Sequence, residues 1–213
     1  MGVAIPIETS ARHIHMCRND FEALFGEGSE LTYKADLSQP GQFVAKERLS
    51  VRGPKGSFEN VAILGPFRKE TQLEISMTDS RKLGVPGIIR QSGDTKDTPG
   101  CTLMAGKGSI ELDHGVIVAK RHIHMTLYSV QMNVKDNDEV FVIMESYERS
   151  LIFADVIVRV SPQFALAMHV DTDEANAFAN ENHPTGVILK LFGGRTYNLQ
   201  KWAEELQSGI HRL

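Results

Sequence analysis

Ala11-Arg12-His13-Ile14-His15-Met16 returns almost unchanged as Lys120-Arg121-His122-Ile123-His124-Met125. Each copy sets two imidazoles two residues apart behind a basic residue, and His122 lies 109 positions after His13. On an extended strand, residues i and i+2 share a face, with Cα atoms roughly 6–7 Å apart. Such a pair can close on one metal ion. A single His-x-His arises readily on a solvated strand, but two copies inside R-H-I-H-M are hard to explain that way. The repeat therefore predicts a doubled fold that brings two half-sites together.

Bulk composition narrows the rest. The chain has 213 residues, 41% hydrophobic and 23% charged, ordinary values for a globular protein of one large or two small domains. A net charge of −4 speaks against a nucleic-acid partner held by a general basic field, while leaving room for a local basic patch on an anionic small molecule. No apolar run has the length of a membrane span, so no membrane partner is expected. The start, Met1 to Glu8, has no signal-peptide pattern. The two cysteines, Cys17 and Cys101, lie outside any C-x-x-C arrangement and suit a reducing cytoplasm. Cys17, near the first His pair, is read as a small, partly buried thiol.

Outward from the repeats, the chain reads as short strands punctuated by glycine and proline. Gly53-Pro54-Lys55-Gly56 should close a hairpin between Leu49–Arg52 and Ser57–Leu64. Gln72–Met77 alternates, with Leu73, Ile75 and Met77 on one face and Gln72, Glu74 and Ser76 on the other. Glu139–Glu145 and Leu151–Val160, joined by Ser146–Ser150, predict a second hairpin, and another strand is expected within Pro162–Val170. This pattern predicts a mainly β protein of small antiparallel barrels rather than an alternating βα fold. Helices should be few and short: Asn19–Phe25, capped by Asn19 or Asp20, then Asp173–Glu181, and a tail helix over Leu199–Leu206. That tail is assigned to packing or subunit contact, which leaves a homo-oligomer open.

Other residues have the chemistry to complete a metal site. Glu74, mid-strand, and His169, ahead of an acidic stretch, join His13, His15, His122 and His124 to give five imidazoles and one carboxylate. That set suffices for two divalent ions with three protein ligands each and open positions for substrate; zinc is the first choice, with cobalt or another first-row ion as substitute. From residue type alone, Glu74 reads equally as a surface strand residue and His169 as an ordinary half-buried histidine. Arg68, after Gly65-Pro66-Phe67, suits a phosphate or carboxylate clamp, although an exposed turn arginine is the commoner case. The loop from Leu83 to Asp94 offers Arg90 and Ser92 as polar handles, but it is neither a Walker A loop nor a G-x-G-x-x-G turn. Cupin, metallo-β-lactamase and G-x-S-x-G patterns do not fit the residues that follow either His pair.

These stretches together resemble the PduL-type phosphotransacylases, or phosphate propanoyltransferases. The likeness is carried by both R-H-I-H-M copies, Asp36–Gln42, Gly53–Asn60, Leu64–Ser76, Ser92-Gly93-Asp94 and the run from Arg159 through Met168 to Asn176. It extends to about residue 192. The resemblance implies zinc ligands His13, His15 and Glu74 for one ion, and His122, His124 and His169 for the other, with Arg68 on phosphate. It also implies two related small β-barrel domains. The first would span residues 12–118 and the second 119–195, completed by the N-terminal strand 1–11, with 196–213 as a helical tail. Only twelve residues precede His13, whereas microcompartment-associated members carry a longer leading extension, so a freely cytoplasmic role is expected.

The reaction so implied is acyl-CoA + phosphate ⇌ acyl phosphate + CoA, with coenzyme A as substrate and acetyl or propanoyl as the acyl group. Phosphate is expected to attack directly, because no activated Ser or Cys stands out. Lys46, Arg48, Lys55, Arg81, Arg90 and Ser92 are the candidates for contacting coenzyme A. Two other classes are weighed against this one: a metal-dependent thioester or phosphoester hydrolase, and a non-catalytic module in which zinc only stabilises the fold.

Overall fold

The computed structural model describes residues 3–106, 108–126, 134–146, 148–178 and 183–189. In chain order the elements are β1 (Ala4–Ser10), β2 (His13–His15), α1 (Arg18–Phe25), β3 (Tyr33–Asp36), β4 (Phe43–Arg52), β5 (Ser57–Gly65), β6 (Gln72–Glu74), α2 (Met77–Leu83), β7 (Ile89–Arg90), β8 (Cys101–Ala105), β9 (Gly108–Leu112) and β10 (Val116–Ala119). The second half continues with β11 (His122–Met125), β12 (Glu139–Met144), β13 (Leu151–Val160), β14 (Ala167–Asp171), α3 (Thr172–Ala177) and β15 (Thr185–Leu189). The expected tail helix over Leu199–Leu206 lies outside the described residues.

The protein is mainly β, with its two halves built on one plan. In the second half, β1-β14-β11-β13-β12-β15 close into a six-stranded barrel. In the first, β7-β10-β6-β2-β5-β4-β8-β9 form a curled sheet with β3 attached to β4, and this sheet does not close. The duplication is visible in the register. β2 runs parallel to β5 and antiparallel to β6, placing His13 opposite Glu74. β11 runs parallel to β13 and antiparallel to β14, placing His122 opposite His169. The fourth strand of the plan is supplied differently. β10 lies parallel to β6 with Ile117 opposite Glu74, whereas the second half takes β1 from the other end of the chain and sets Glu8 opposite His169.

Each half encloses its own apolar core. Ile14, Phe21, Leu24, Val51, Ile63, Leu73 and Leu103 anchor the first. Ile5, Ile7, Ile123, Val142, Val156 and Val170 anchor the second. A fully buried aliphatic side chain contributes roughly 1.5–3 kcal/mol, so β1, through Ile5 and Ile7, is tied firmly to the second half. Both hairpins form as the turn chemistry predicts: Arg52 pairs with Ser57, with Gly53 N–H donating to Gly56 O at 2.9 Å, and β12 pairs with β13 across Ser146–Ser150.

Three local expectations are corrected. Strand β6 stops at Glu74 instead of running to Met77, because the Ser76 hydroxyl accepts from Asp79 N–H and caps α2 there. Helix α1 starts at Arg18 with Cys17 as its N-cap residue, not Asn19 or Asp20; the Asp20 carboxylate is instead taken up by the Thr71 hydroxyl. Helix α3 covers Thr172–Ala177, one residue earlier at its start than expected, and opens with a capping box between Asp171 and Glu174. Of the expected span to Glu181, residues 179–181 lie outside the described residues.

Two imidazole clusters on matching strands

The alternation of His13-Ile14-His15 on β2 sends Ile14 into the core and both imidazoles to the opposite face, and β11 repeats this with Ile123. Glu74 arrives on β6 beside His13, with Glu74 Oε2 3.6 Å from His13 Nε2 and Oε1 3.8 Å from His15 Nε2. In the second cluster, His124 Nδ1 lies 3.1 Å from His169 Nε2, and the His122 ring stacks on His169 with centroids 5.2 Å apart. Within each trio the three ligand atoms lie within 4.8 Å of one another. The clusters share a small cavity lined by His13 and Glu74 from one and His122 and His169 from the other, with Ser10 and Asp171 at its sides.

The donor chemistry fits a metal. His13 Nδ1 donates to Ala11 O and His122 Nδ1 to Lys120 O, each at 2.9 Å, which fixes the tautomer and leaves Nε2 as a free lone pair. In the second cluster, the 3.1 Å approach of two ring nitrogens requires a proton between them or a cation that both face. Ligands held roughly 2.0–2.2 Å from one ion stand about 3.3–3.5 Å apart, close to the observed 3.6 and 3.8 Å. Among the described residues neither trio has a fourth protein donor. That is the pattern of a site left open to substrate rather than one closed for structure.

Electrostatics hold the groups in ligand form. Burial, with the neighbouring His13 and Arg68 charges, pushes His15 down to about 3. Burial and His169 lower His122 to about 4, and burial with both neighbouring imidazoles lowers His124 to about 2. Burial acts to raise Glu74, but the flanking imidazoles, the Ser92 hydroxyl and Arg68 outweigh it and hold the carboxyl at about 2. Neutral imidazoles beside an ionised carboxylate are the protonation states that metal binding needs.

Around the first cluster a polar brace fixes Glu74. Ser92 Oγ donates to Glu74 Oε1 at 2.7 Å, Gln72 Nε2 donates to the same oxygen at 2.6 Å, and Gly93 N–H closes the brace on Gln72 Oε1 at 2.6 Å. Arg68 donates through a terminal nitrogen to Ser92 Oγ at 2.8 Å, and its backbone N–H is anchored on Met16 O at 2.9 Å. Gly65, at the end of β5, precedes it because a Cβ there would run into the Phe43 ring. Arg159, opposite His124 on β13, lies near enough to bias Arg68 and all three imidazoles of the second cluster. Among the described residues neither arginine has a carboxylate within 4.0 Å. Two half-buried cations without a direct ion pair suit an anion between them.

Sequence reasoning passed over Gln72 and Arg159 as separate residues. Period two from Glu74 already put Gln72 on the same face; Arg159 had no signal beyond the stretch that contains it. The arginines of the repeats turn out to brace the helices that follow the third donors. Arg12 forks onto Asp79 at 2.9 and 2.8 Å and lies over Phe58; Arg121 pairs with Glu174 at 2.8 Å and lies over Phe153. Both acids occupy the third position of their helices, α2 and α3. Arg12→Ala is expected to cost about 1–2 kcal/mol, since it leaves the buried Asp79 without its forked partner. Urea unfolding measures this, with Arg12→Lys recovering only part because lysine lacks the fork.

The remaining candidates are scattered. Ser92 lies in the brace on Glu74, not on a free loop. Arg90, on β7, pairs alongside Ala119 of β10 and lies 3.6 Å from Asp94. Lys55 and Arg81 are exposed near the hairpin turn and α2, where Lys55 N–H donates to Leu83 O at 3.0 Å. Lys46 is exposed on β4, and Arg48 donates to Ala45 O and Glu47 O of its own strand. No described helix is long and apolar enough to cross a membrane.

Comparison with known proteins adds to this geometry. Residues 6–181 match the family described as phosphate propanoyltransferase. A phosphate propanoyltransferase of Enterococcus faecalis is 53% identical over 184 residues, covering 86% of this chain and 87% of that protein. One of Listeria monocytogenes is 50% identical over 190 residues, 89% of each chain. One of Thermotoga maritima is 54% identical over 174 residues, 81% of this chain and 83% of its own.

Proposed function

This chain belongs to the phosphate propanoyltransferase family, and from that premise we propose that it transfers a short-chain acyl group reversibly between coenzyme A and phosphate at a two-metal site. The observation that carries this reading is the pair of three-donor clusters facing one cavity, with Arg68 and Arg159 beside them. The division into units 12–118 and 119–195 plus 1–11 belongs to the same proposal, each unit contributing one cluster.

His13, His15 and Glu74 would hold one zinc ion and His122, His124 and His169 the other. Bound there, zinc supplies Lewis acidity toward an acyl or phosphate oxygen and lowers the proton affinity of a leaving thiolate. Arg68 grips phosphate through its planar fork and holds it in line with the thioester carbonyl. Arg159, from the other half, offsets the second negative charge. Phosphate oxygen then forms the new C–O bond, the C–S bond breaks, and the coenzyme A thiolate leaves with the bonding pair. Neither Cys101 nor Ser92 suits a covalent acyl-enzyme. The Cys101 thiol is pushed up to about 12, first by burial and then by Glu111, and the Ser92 hydroxyl is committed to Glu74.

For coenzyme A, Arg90 is the favoured partner of the phosphates, since β7 adjoins β10, whose last residue Ala119 lines the cavity together with the following Lys120. Lys46, Arg48, Lys55 and Arg81 remain outer candidates. The deciding experiment is a coupled assay with propanoyl-CoA. Thiol release that requires phosphate and yields hydroxylamine-trappable propanoyl phosphate is the expected result. Release at the same rate without phosphate would make the protein a hydrolase.

A further inference from the structure

The two clusters differ in one respect that their strand plan makes plain. In the first half, the residue on the parallel strand beside the third donor is Ile117, apolar and buried. In the second half the matching residue is Glu8, beside His169. Its carboxylate Oε2 lies 3.6 Å from His169 Nδ1, while His169 Nε2 faces His124 on the other side of the ring. Glu8 therefore stands behind the cluster and cannot share an ion with the Nε2 of His169. The same oxygen accepts a hydrogen bond from the Ser38 hydroxyl, which comes from the loop between β3 and β4 of the first half.

The outward-facing ring nitrogens of His13 and His122 donate to carbonyls two residues back in the chain. His169 is the third donor of its cluster, and the group nearest its outer nitrogen is the Glu8 side chain. A carboxylate in that place fixes the tautomer, aims Nε2 at the ion and strengthens the imidazole as a donor. It also returns to the three-imidazole site the negative charge that the first site obtains from Glu74.

We infer that Glu8 is a positioning residue for the second metal ion, acting through His169 and steadied by Ser38 of the other half. This rests on the two-metal reading. Partial solvation of Glu8, whose side chain is 35% exposed, leaves the carboxylate room to close the remaining distance when the ion draws the ring into place.

The test compares the full chain with Glu8→Gln and with Glu8→Ile, the latter copying the residue that the first half carries at the matching position. Each is loaded with Co2+ and titrated with a chromophoric chelator, while visible absorption follows the two ions and melting of the metal-free forms follows the fold. The expected result is two ions in the wild-type chain and retention of one of them roughly 10- to 100-fold weaker in both variants. The other ion should keep its affinity, and Glu8→Asp should recover part of the loss. A purely structural role would move both ions or the apo melting point instead. Two ions held with unchanged affinity in both variants would overturn this inference alone. A wild-type chain that holds one ion or none would overturn the two-metal reading, and this inference with it.

Discussion

Dialysis against a strong chelator is expected to lower phosphate-dependent cleavage of propanoyl-CoA at least about a thousandfold. Two equivalents of Zn2+ or Co2+ per chain should restore it. The magnitude follows from what would be left in the cavity. Without ions the six donor groups are five imidazoles, four of them held below their usual range, and a carboxylate. Imidazole rings polarise an acyl oxygen far less than a divalent ion does, and Glu74 repels the incoming anion. The fold should survive the treatment, because both cores are closed by aliphatic and aromatic side chains and neither includes a cluster residue. Far-ultraviolet circular dichroism of the stripped protein checks that point. Unfolding on chelation would favour a structural zinc module, and undiminished turnover without metal would refute the metal role.

Arg68→Ala should lower kcat/KM for phosphate by about 10²–10³, equivalent to about 3–4 kcal/mol of transition-state stabilisation. Stability should change far less. Among the described residues the side chain makes one hydrogen bond, to Ser92, and the backbone N–H that anchors the segment on Met16 is retained by alanine. Arg68→Lys restores a charge but not the paired donors, so it should recover only part of the loss. Phosphate saturation curves at fixed acyl-CoA separate binding from turnover. An unchanged phosphate dependence in Arg68→Ala would remove this residue from the mechanism.

How much of this was legible in the chain depends on the range of each signal. The His pairs announce themselves because a two-residue period is local, and the hairpins because Gly53-Pro54 and the polar Ser146–Ser150 link are local too. Glu74 and His169 are less accessible. What sets them apart from surface residues is pairing opposite His13 and His122, a register that no nearby residue encodes. Helix α2 is hidden for a different reason: Ser76 continues the strand alternation while also serving as the cap that ends it. Glu8 carries no local mark at all, since its meaning comes from a strand more than a hundred residues away.

The strand that carries Glu8 has a consequence for how the molecule is made. β1 leaves the ribosome ahead of the other described strands, yet its partners β14 and β15 are among the last of them to be synthesised. Until they arrive, Ile5 and Ile7 have no core to enter, while the curled sheet of the first half can already assemble from contiguous chain. Closing the barrel requires a pairing across most of the chain's length, the kind of contact that slows folding and prolongs exposure of an apolar edge. During that interval the first cluster can assemble without the second. On the two-metal proposal, metal loading would then follow the order of translation, with the Glu74 site competent before the His169 site exists.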